Sequence, residues 1–143
     1  MKTVIKYFSE LTTRELYEIL RTRAEIFVVE QNCPYQDLDC RDYDSLHVFF
    51  EEDGRVQACL RSFMRDRETA QIGRVVTLVH GKGLGGALLK TGIEQVRMRQ
   101  NPKRIVIEAQ CYATGFYEQA GFRICSGEFL EDGIPHVRMT LEL

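Results

Sequence analysis

Apolar residues recur along the chain in short, strand-like segments that are interrupted by helical ones. Seven segments have the length and apolar content of strands: residues 3–8, 46–51, 55–64, 69–78, 104–109, 122–125 and 137–143. In the second segment Leu46, Val48 and Phe50 alternate with His47. Because successive side chains of a strand point to opposite faces, His47 is expected to face away from those three residues.

Helical spacing replaces this pattern in three places. A capping box at Thr12 to Glu15 precedes apolar residues at near-helical intervals, which predicts a first helix over about residues 13–28. A second apolar stripe ends at Asn101-Pro102 and predicts another long helix. Its members are Leu84, Leu88, Leu89, Ile93 and Val96. Residues 113–120, closed by Gly121, predict a short third helix.

Turn residues and connection lengths indicate how the strands pair. Asp53-Gly54 is a strong hairpin signal, so the second and third strands are expected to be antiparallel neighbours. The strand at residues 104–109 follows a long helix, and a helical crossover places it parallel to the strand before that helix. The prediction is a mixed α/β fold, with a mostly antiparallel sheet of about seven strands and helices on both faces. A chain of 143 residues fits one domain, spanning residues 1–143.

Charge and composition exclude several classes of protein. With 19 Lys and Arg against 21 Asp and Glu, the net charge of -2 gives no long-range attraction to nucleic acid. No apolar run approaches the roughly 18 residues of a membrane span, and the first residues lack a signal-peptide core. The five cysteines form no C-x-x-C pair, and Cys59 and Cys125 are expected to be small core residues. A cytoplasmic protein without a bound metal is predicted.

Four glycines within six residues lie between a predicted strand and the second long helix. They belong to the segment His80-Gly81-Lys82-Gly83-Leu84-Gly85-Gly86. Free backbone N–H groups and the helix dipole at such a position bind phosphate oxygens. Glycine lets an anion approach the backbone without meeting a Cβ, and Lys82 adds a positive charge. The segment therefore predicts a phosphate-binding loop.

Two other nucleotide-binding motifs compete for this loop. A Walker motif fails, because Lys82 is not preceded by G-x-x-x-x-G and is not followed by Ser or Thr. A dinucleotide-binding motif fits by spacing, since Gly81, Gly83 and Gly86 form G-x-G-x-x-G and Glu108 follows about 20 residues later. That motif opens a parallel sheet, whereas this loop follows an antiparallel hairpin and has little chain after it. An NAD(P)-linked oxidoreductase is left as an alternative.

The loop resembles the acetyl-CoA loop of the GNAT superfamily, which has the form Q/R-x-x-G-x-G/A at the start of a long helix. His80 to Gly85 occupy that frame, with His80 in place of Gln or Arg and Lys82 as the displaced positive group. The chain is most similar to the ElaA/YjcF-type branch. Three further stretches carry this similarity, at residues 27–34, 39–47 and 131–139.

The resemblance implies a site and a reaction. It makes Val75, Val76 and Thr77 the strand segment that pairs with the pantetheine arm of acetyl-CoA. A Phe-Tyr-x-x-x-Gly-Phe stretch of the superfamily matches residues 116–122, which makes Tyr117 the implied general acid. The implied activity is transfer of an acetyl group from acetyl-CoA to a primary amine. The implied cradle for the pyrophosphate consists of Gly81, Lys82, Gly83, Leu84, Gly85 and Gly86.

Acyl transfer from a thioester needs a neutral amine, a polarised carbonyl and a proton for the leaving thiolate. Tyr117 is protonated at neutral pH and can supply that proton. The sequence leaves the acceptor of the amine's proton open. A nucleophilic pair of Cys111 with a histidine is conceivable, although direct attack by the amine is simpler. The candidate acceptors are Glu108, His47 and His136, with Glu30 and Asp44 as further carboxylates.

An acidic loop precedes the second strand and contains Asp37, Asp39, Asp42 and Asp44. Such a run is usually a solvated turn. Beside an acetyl-CoA site, however, it would attract a cationic amine. Metal binding is not indicated, because the spacing lacks the glycine and the distal Glu of an EF-hand.

The leading hypothesis is therefore an acetyl-CoA-dependent N-acetyltransferase that modifies a small molecule or a peptide by direct attack of the amine. The alternative is a catalytically weak module of the same fold that holds CoA or a protein partner. The expected partners are acetyl-CoA and an amine acceptor, with neither nucleic acid nor a membrane. A homodimer is left open.

Overall fold

The computed structural model describes all 143 residues, and its strands form one eight-stranded sheet. The strands are β1 Lys2–Tyr7, β2 Leu46–Glu52, β3 Arg55–Met64, β4 Thr69–Thr77, β5 Arg104–Gln110, β6 Arg123–Ile124, β7 Phe129–Glu131 and β8 Ile134–Glu142. The α-helices are α1 Thr13–Arg23, α2 Leu84–Arg99 and α3 Thr114–Gln119. The strand order is β1-β2-β3-β4-β5-β8-β6, and β7 pairs with β8 outside this path.

The sheet is mixed, as predicted, because only one of its pairings is parallel. β4 and β5 run parallel after the crossover through α2, and the remaining pairs are antiparallel. The dinucleotide-binding alternative requires a parallel, doubly wound sheet. This topology argues against an NAD(P)-linked oxidoreductase.

The two faces of the sheet carry separate apolar cores. On one face, side chains such as Leu46, Val48 and Phe50 pack with Leu88 and Leu89 of α2. On the other face, a smaller cluster including Phe49 packs with Ile19 of α1. Helices therefore cover both faces, and the predicted alternation along β2 is confirmed.

Two Asp-Gly turns close hairpins. Asp53 and Gly54 join β2 to β3 with φ values of +51° and +76°, which confirms the predicted hairpin. Asp132 and Gly133 adopt nearly the same values, +52° and +75°, and join β7 to β8. The prediction of seven strands missed β7 and placed the start of the last strand at residue 137 instead of Ile134. The Asp132-Gly133 dipeptide was the signal that marked this hairpin.

The first helix differs from its prediction in its second half. The α-helical part ends at Arg23, and residues Ala24–Glu30 continue as a π-helix. In this segment the N–H of Gln31 donates to the carbonyl of Ile26 at 2.9 Å, five residues earlier. Several β-branched residues occur here, and they are stiff at χ1 within a helix. Single π turns inside helices are frequent at functional sites.

The cysteines are all free. Cys59 is buried in the sheet, as expected, but Cys125 is exposed, so its assignment to the core was wrong. It follows β6, a strand of two exposed residues at the end of the sheet.

Candidate active site

A cleft opens in the middle of the sheet because β4 and β5 separate. The two strands pair over only three residues each, from Thr69 to Gln71 in β4 and from Arg104 to Val106 in β5. Beyond Gln71 the edge of β4 that faces β5 has no strand partner. The resulting cleft has a volume of about 670 Å³.

A β-bulge in β4 accompanies this separation. Arg61 of β3 pairs with Gly73 and Cys59 pairs with Val76, so Arg74 and Val75 lie opposite the single residue Leu60. Arg74 has a φ of +53°. A bulge bends the strand that carries it, and here the bend occurs where β4 leaves β5. Of the predicted cofactor residues, Val75 lies in the bulge and Val76 and Thr77 follow it, and all three line the cleft.

The glycine loop gives α2 an open N-terminus. Gly83 is the N-cap residue with a φ of +73°, and no side chain caps the helix. The first helical bond runs from the N–H of Ala87 to the carbonyl of Gly83 at 3.1 Å. The N–H groups of Leu84, Gly85 and Gly86 precede that bond and have no acceptor within the helix. With no acidic residue in the first turn, this end of α2 is suited to an anion.

Two of the six predicted loop residues line cavities, and these cavities adjoin each other. Gly85 lines the main cleft, while Gly86 lines a second groove of about 480 Å³ between α2 and α3. Phe116 of α3 belongs to both. The other four line neither cavity: Gly81 and Lys82 precede the helix, Gly83 is its N-cap residue and Leu84 is its first residue. The N-terminus of α2 thus lies where the two cavities meet.

His80 connects the glycine loop to the π-helical segment that follows α1. Its Nε2 lies 2.7 Å from the Glu30 carboxylate at the end of the π-helical segment. The π-helical segment also carries Phe27, which lines the cleft. The glycine loop and the π-helical segment are therefore connected directly.

Tyr117 borders the cleft with its ring in the core. The ring packs edge-on against Phe116 at 5.0 Å and against Phe122 at 6.1 Å. Its hydroxyl makes no hydrogen bond within the chain, although the residue is only 8% exposed. Burial, with a smaller contribution from Tyr112, raises the pKa of Tyr117 well above its ordinary value. The hydroxyl is therefore protonated and available to a molecule in the cleft.

Glu108, Glu131 and His136 form an acid-base cluster on the opposite wall. His136 directs Nδ1 at the carbonyl of Ile134, 2.7 Å away, and its Nε2 lies 3.4 Å from the carboxylate of Glu131. Burial and the neighbouring Glu108 carboxylate raise the pKa of Glu131, against the opposing effect of His136. Glu108 in turn accepts a hydrogen bond from Arg138 at 3.3 Å. Such a cluster can hold or pass a proton.

The sequence had identified Glu108 and His136 but missed Glu131. All three line the cleft. Glu131 is the last residue of β7, and its position beside His136 depends on the hairpin that the strand prediction omitted. Recognising Asp132-Gly133 as a hairpin turn would have brought Glu131 next to β8.

His47 does not belong to this cluster. It is 1% exposed and lies on β2, away from the cleft, with Nε2 2.9 Å from the carbonyl of Asp42. Burial lowers the pKa of His47. The structure therefore places this predicted catalytic base in a buried, hydrogen-bonded position without access to a substrate. The alternation along β2 correctly predicted the face of the sheet on which His47 lies. It did not predict that other residues cover His47 on that face.

Three aspartates of the acidic loop are neutralised by arginines from three different elements. Each of three aspartates pairs with two of three arginines, which closes a network between α1, β3, β4 and the loop. The pairs are Asp37 with Arg23 and Arg74, Asp39 with Arg61 and Arg74, and Asp42 with Arg23 and Arg61. Three of the loop's four carboxylates are thus already paired, which argues against the hypothesis that the loop attracts a cationic amine.

Cys111 lies in the short turn between β5 and α3, where it packs against the main core and does not line the cleft. Burial and the nearby Glu128 raise the pKa of the Cys111 thiol. A thiol with a raised pKa is a poorer nucleophile at neutral pH. These features argue against a covalent mechanism through Cys111.

None of the helices combines the length and apolar content needed to cross a membrane.

Residues 15–143 match the family model described as an acetyltransferase (GNAT) domain. The chain is 34% identical to protein ElaA of Escherichia coli, over 96% of this chain and 94% of that protein. The crystal structure of this ElaA aligns with a TM-score of 0.92 and 32% identity, over 99% of this chain and 100% of that one.

Two further solved structures are similar. An acyl-CoA N-acyltransferase from Pseudomonas aeruginosa has a TM-score of 0.89 and 34% identity, over 98% of this chain and 99% of that one. A GNAT family acetyltransferase from Elizabethkingia anophelis, solved with acetyl-CoA bound, shares the fold with a TM-score of 0.67 and 19% identity, over 99% and 98% of the two chains. With a family model that matches most of its length and a relative above 30% identity along nearly all of it, this chain belongs to the GNAT acetyltransferase family.

Proposed function

We propose that this protein is an N-acetyltransferase that transfers the acetyl group of acetyl-CoA directly to a primary amine. One observation carries the proposal: the unpaired edge of β4, the uncapped start of α2 and the free hydroxyl of Tyr117 all converge on one cleft. The strand edge can bind the extended pantetheine arm of acetyl-CoA, and the helix start can bind its pyrophosphate. The hydroxyl can donate to the thiolate that leaves. The acid-base cluster on the opposite wall provides a place for the amine.

The cofactor would lie along β4 and turn at the glycine loop. The backbone of Val75 to Thr77 is free on the side facing β5 and can pair with the amides of the pantetheine arm. The amides of Gly83 to Gly86 would bind the pyrophosphate, with Lys82 nearby. The groove between α2 and α3 continues from that point and has room for the remaining nucleotide. The acetyl-CoA bound in the Elizabethkingia anophelis relative supports a cofactor of this kind.

In the proposed reaction, the neutral amine attacks the thioester carbonyl and forms the new C–N bond. The C–S bond then breaks, and the hydroxyl of Tyr117 donates to the developing thiolate of CoA. The amine's proton passes to the cluster of Glu108, Glu131 and His136. A carboxylate with a raised pKa is a stronger proton acceptor than an ordinary one, which favours Glu131 as part of this relay.

The first test is binding of the cofactor. We expect calorimetry to show saturable binding of CoA and no binding of NAD, because the site is a split sheet edge and not the start of a parallel sheet. Binding of NAD without binding of CoA would overturn the proposal. Release of free CoA from acetyl-CoA with a panel of primary amines then separates an enzyme from a module that only binds the cofactor.

A valine at Gly86 should weaken CoA binding by at least about tenfold, the effect of one lost charge-assisted hydrogen bond. A Cβ at this position meets no protein atom within 4 Å, so the substitution obstructs the phosphate and not the fold. Gly127→Val is the matched control, because that glycine also has open space around it and lies between β6 and β7. Calorimetric titration of both variants with CoA measures the effect. Equal affinities would place the pyrophosphate elsewhere.

A further inference from the structure

The cleft has two walls of opposite charge. Carboxylates of Glu108, Glu131 and Asp132 line the wall formed by β5 and the β7–β8 hairpin. The wall formed by β3, β4 and the acidic loop is lined by arginines instead, and these are Arg41, Arg61, Arg65 and Arg74. The carboxylate wall has a role in the proposed reaction, because it is where the acceptor amine would bind. The arginine wall has no role in that reaction.

Two of the four arginines are already neutralised. Arg61 and Arg74 form ion pairs within the aspartate network described above. Arg41 and Arg65 are exposed and form no ion pair with a carboxylate. The arginine wall therefore presents two uncompensated positive charges to the cleft.

Both uncompensated guanidinium groups are held at one point of the sheet. Arg41 lies over the ring of Phe63 at 4.7 Å from its centre, and Nη1 of Arg65 donates to Oε1 of Gln71 at 3.2 Å. Phe63 and Gln71 are direct partners in the β3–β4 register. The two arginines are thus anchored on neighbouring side chains, and a carboxylate between them would be bound by two charge-assisted donors.

The strand register also relates this point to the acid-base cluster. Gln71 pairs with Val106 where β4 and β5 are still joined, and Glu108 lies two residues further along β5 on the same face. Two residues of a strand span roughly 6.6 Å. The amine and carboxylate of a matching molecule are therefore separated by a chain of several carbons, as the side-chain amine of lysine is from its carboxylate, whereas an α-amine lies too close to its own carboxylate.

We propose that the acceptor is the side-chain amine of a small amino acid such as lysine, with its carboxylate bound by Arg41 and Arg65 and that amine placed at the Glu108, Glu131 and His136 cluster. This inference rests on the proposed function, because it specifies the acceptor of that same reaction. It adds Arg41 and Arg65 as residues that determine specificity. Neither contacts the reacting atoms, so their effect belongs in acceptor binding and not in the chemical step.

The test compares amines that differ only in the carboxylate. Lysine with cadaverine and ornithine with putrescine are suitable pairs. We expect the amino acid of each pair to have the higher kcat/KM in acetyl-CoA-dependent release of CoA. Arg41→Gln and Arg65→Gln should each raise the KM for the amino acid by about tenfold or more, since each removes one charge-assisted contact. Their kcat for the amino acid and their kinetics with the amine partner should stay near wild-type values.

Arg67→Gln is the matched control, because Arg67 is an exposed arginine in the same β3–β4 turn that does not line the cleft. If kcat/KM is equal within each pair and the cleft variants do not change it, the amino-acid proposal is overturned. The proposal that the protein is an acetyltransferase is then unaffected. Calorimetric titration of lysine into the CoA-bound protein decides the matter independently of turnover. Binding that Arg41→Gln weakens supports the carboxylate site, and absence of lysine binding overturns it.

Discussion

Replacing Tyr117 with phenylalanine should lower the turnover of acetyl-CoA-dependent acetylation by about a hundredfold, while CoA still binds. Loss of general acid catalysis typically costs a factor of this size. The ring contacts with Phe116 and Phe122 do not involve the hydroxyl, so phenylalanine keeps them. Because the hydroxyl makes no hydrogen bond within the chain, its loss leaves no buried partner unsatisfied.

Thermal melting and CoA release, measured on the same purified variant, test this prediction. An unchanged melting temperature with a strongly reduced kcat is the expected result. Tyr17→Phe serves as the control, because Tyr17 is 69% exposed on α1 and does not line the cleft. Full activity of the Tyr117 variant with a lowered melting temperature would remove this residue from the mechanism and make it a packing residue.

The parts of the fold that were predictable are those with a local signature. The Asp53-Gly54 turn, the apolar stripe of α2 and the apolar β5 after its crossover each lie within a short stretch of chain. Four closely spaced glycines before a helix predicted the phosphate-binding loop, and a resemblance to a family added Tyr117 as a candidate. In these cases, local propensity and the tertiary structure agree, which is why the pattern was sufficient.

The site's remaining parts depend on pairings between distant segments. Arg23, Arg61 and Arg74 come from three elements, and nothing in their local sequence indicates that they meet the aspartates of one loop. The same holds for Arg41 and Arg65, whose contacts Phe63 and Gln71 are partners in the register of β3 and β4. For His47, alternation predicted the face, but burial depends on which segment covers that face. The ion pairs of the acidic loop could not be predicted for the same reason, because their arginines come from distant segments.

Asp42→Asn should lower the free energy of unfolding by about 3 kcal/mol at neutral pH. Asp42 accepts hydrogen bonds from Arg23 at 2.7 Å and from Arg61 at 3.1 Å, and the two arginines are 1% and 4% exposed. Removing one partner of a buried ion pair costs about 3–5 kcal/mol. The lower end of this range applies, because Asp37 and Asp39 still pair with these arginines. The asparagine amide would also direct N–H groups at guanidinium donors.

The pH dependence of this effect follows from the pKa of Asp42. Burial alone would raise that pKa, but the hydrogen bond and charge of Arg23, together with Arg61, lower it below the ordinary value of 3.8. A carboxyl group whose pKa is lower in the folded state stabilises the protein fully above its unfolded-state pKa and loses this effect as the pH falls through the folded-state value. The difference between wild type and Asp42→Asn should therefore be constant from about pH 5 to 7 and shrink below about pH 4.

Denaturant unfolding at pH 7 and at pH 3 measures both predictions for Asp42. Asp44→Asn is the control, since Asp44 lies in the same turn, is exposed and forms no ion pair; its effect should stay within about 0.5 kcal/mol. A loss for Asp42→Asn no larger than that of the control would mean that the network is held by its other pairs. A loss that persists undiminished at pH 3 would show that the asparagine disturbs packing, and that the charge of Asp42 is not what stabilises the loop against α1 and β3.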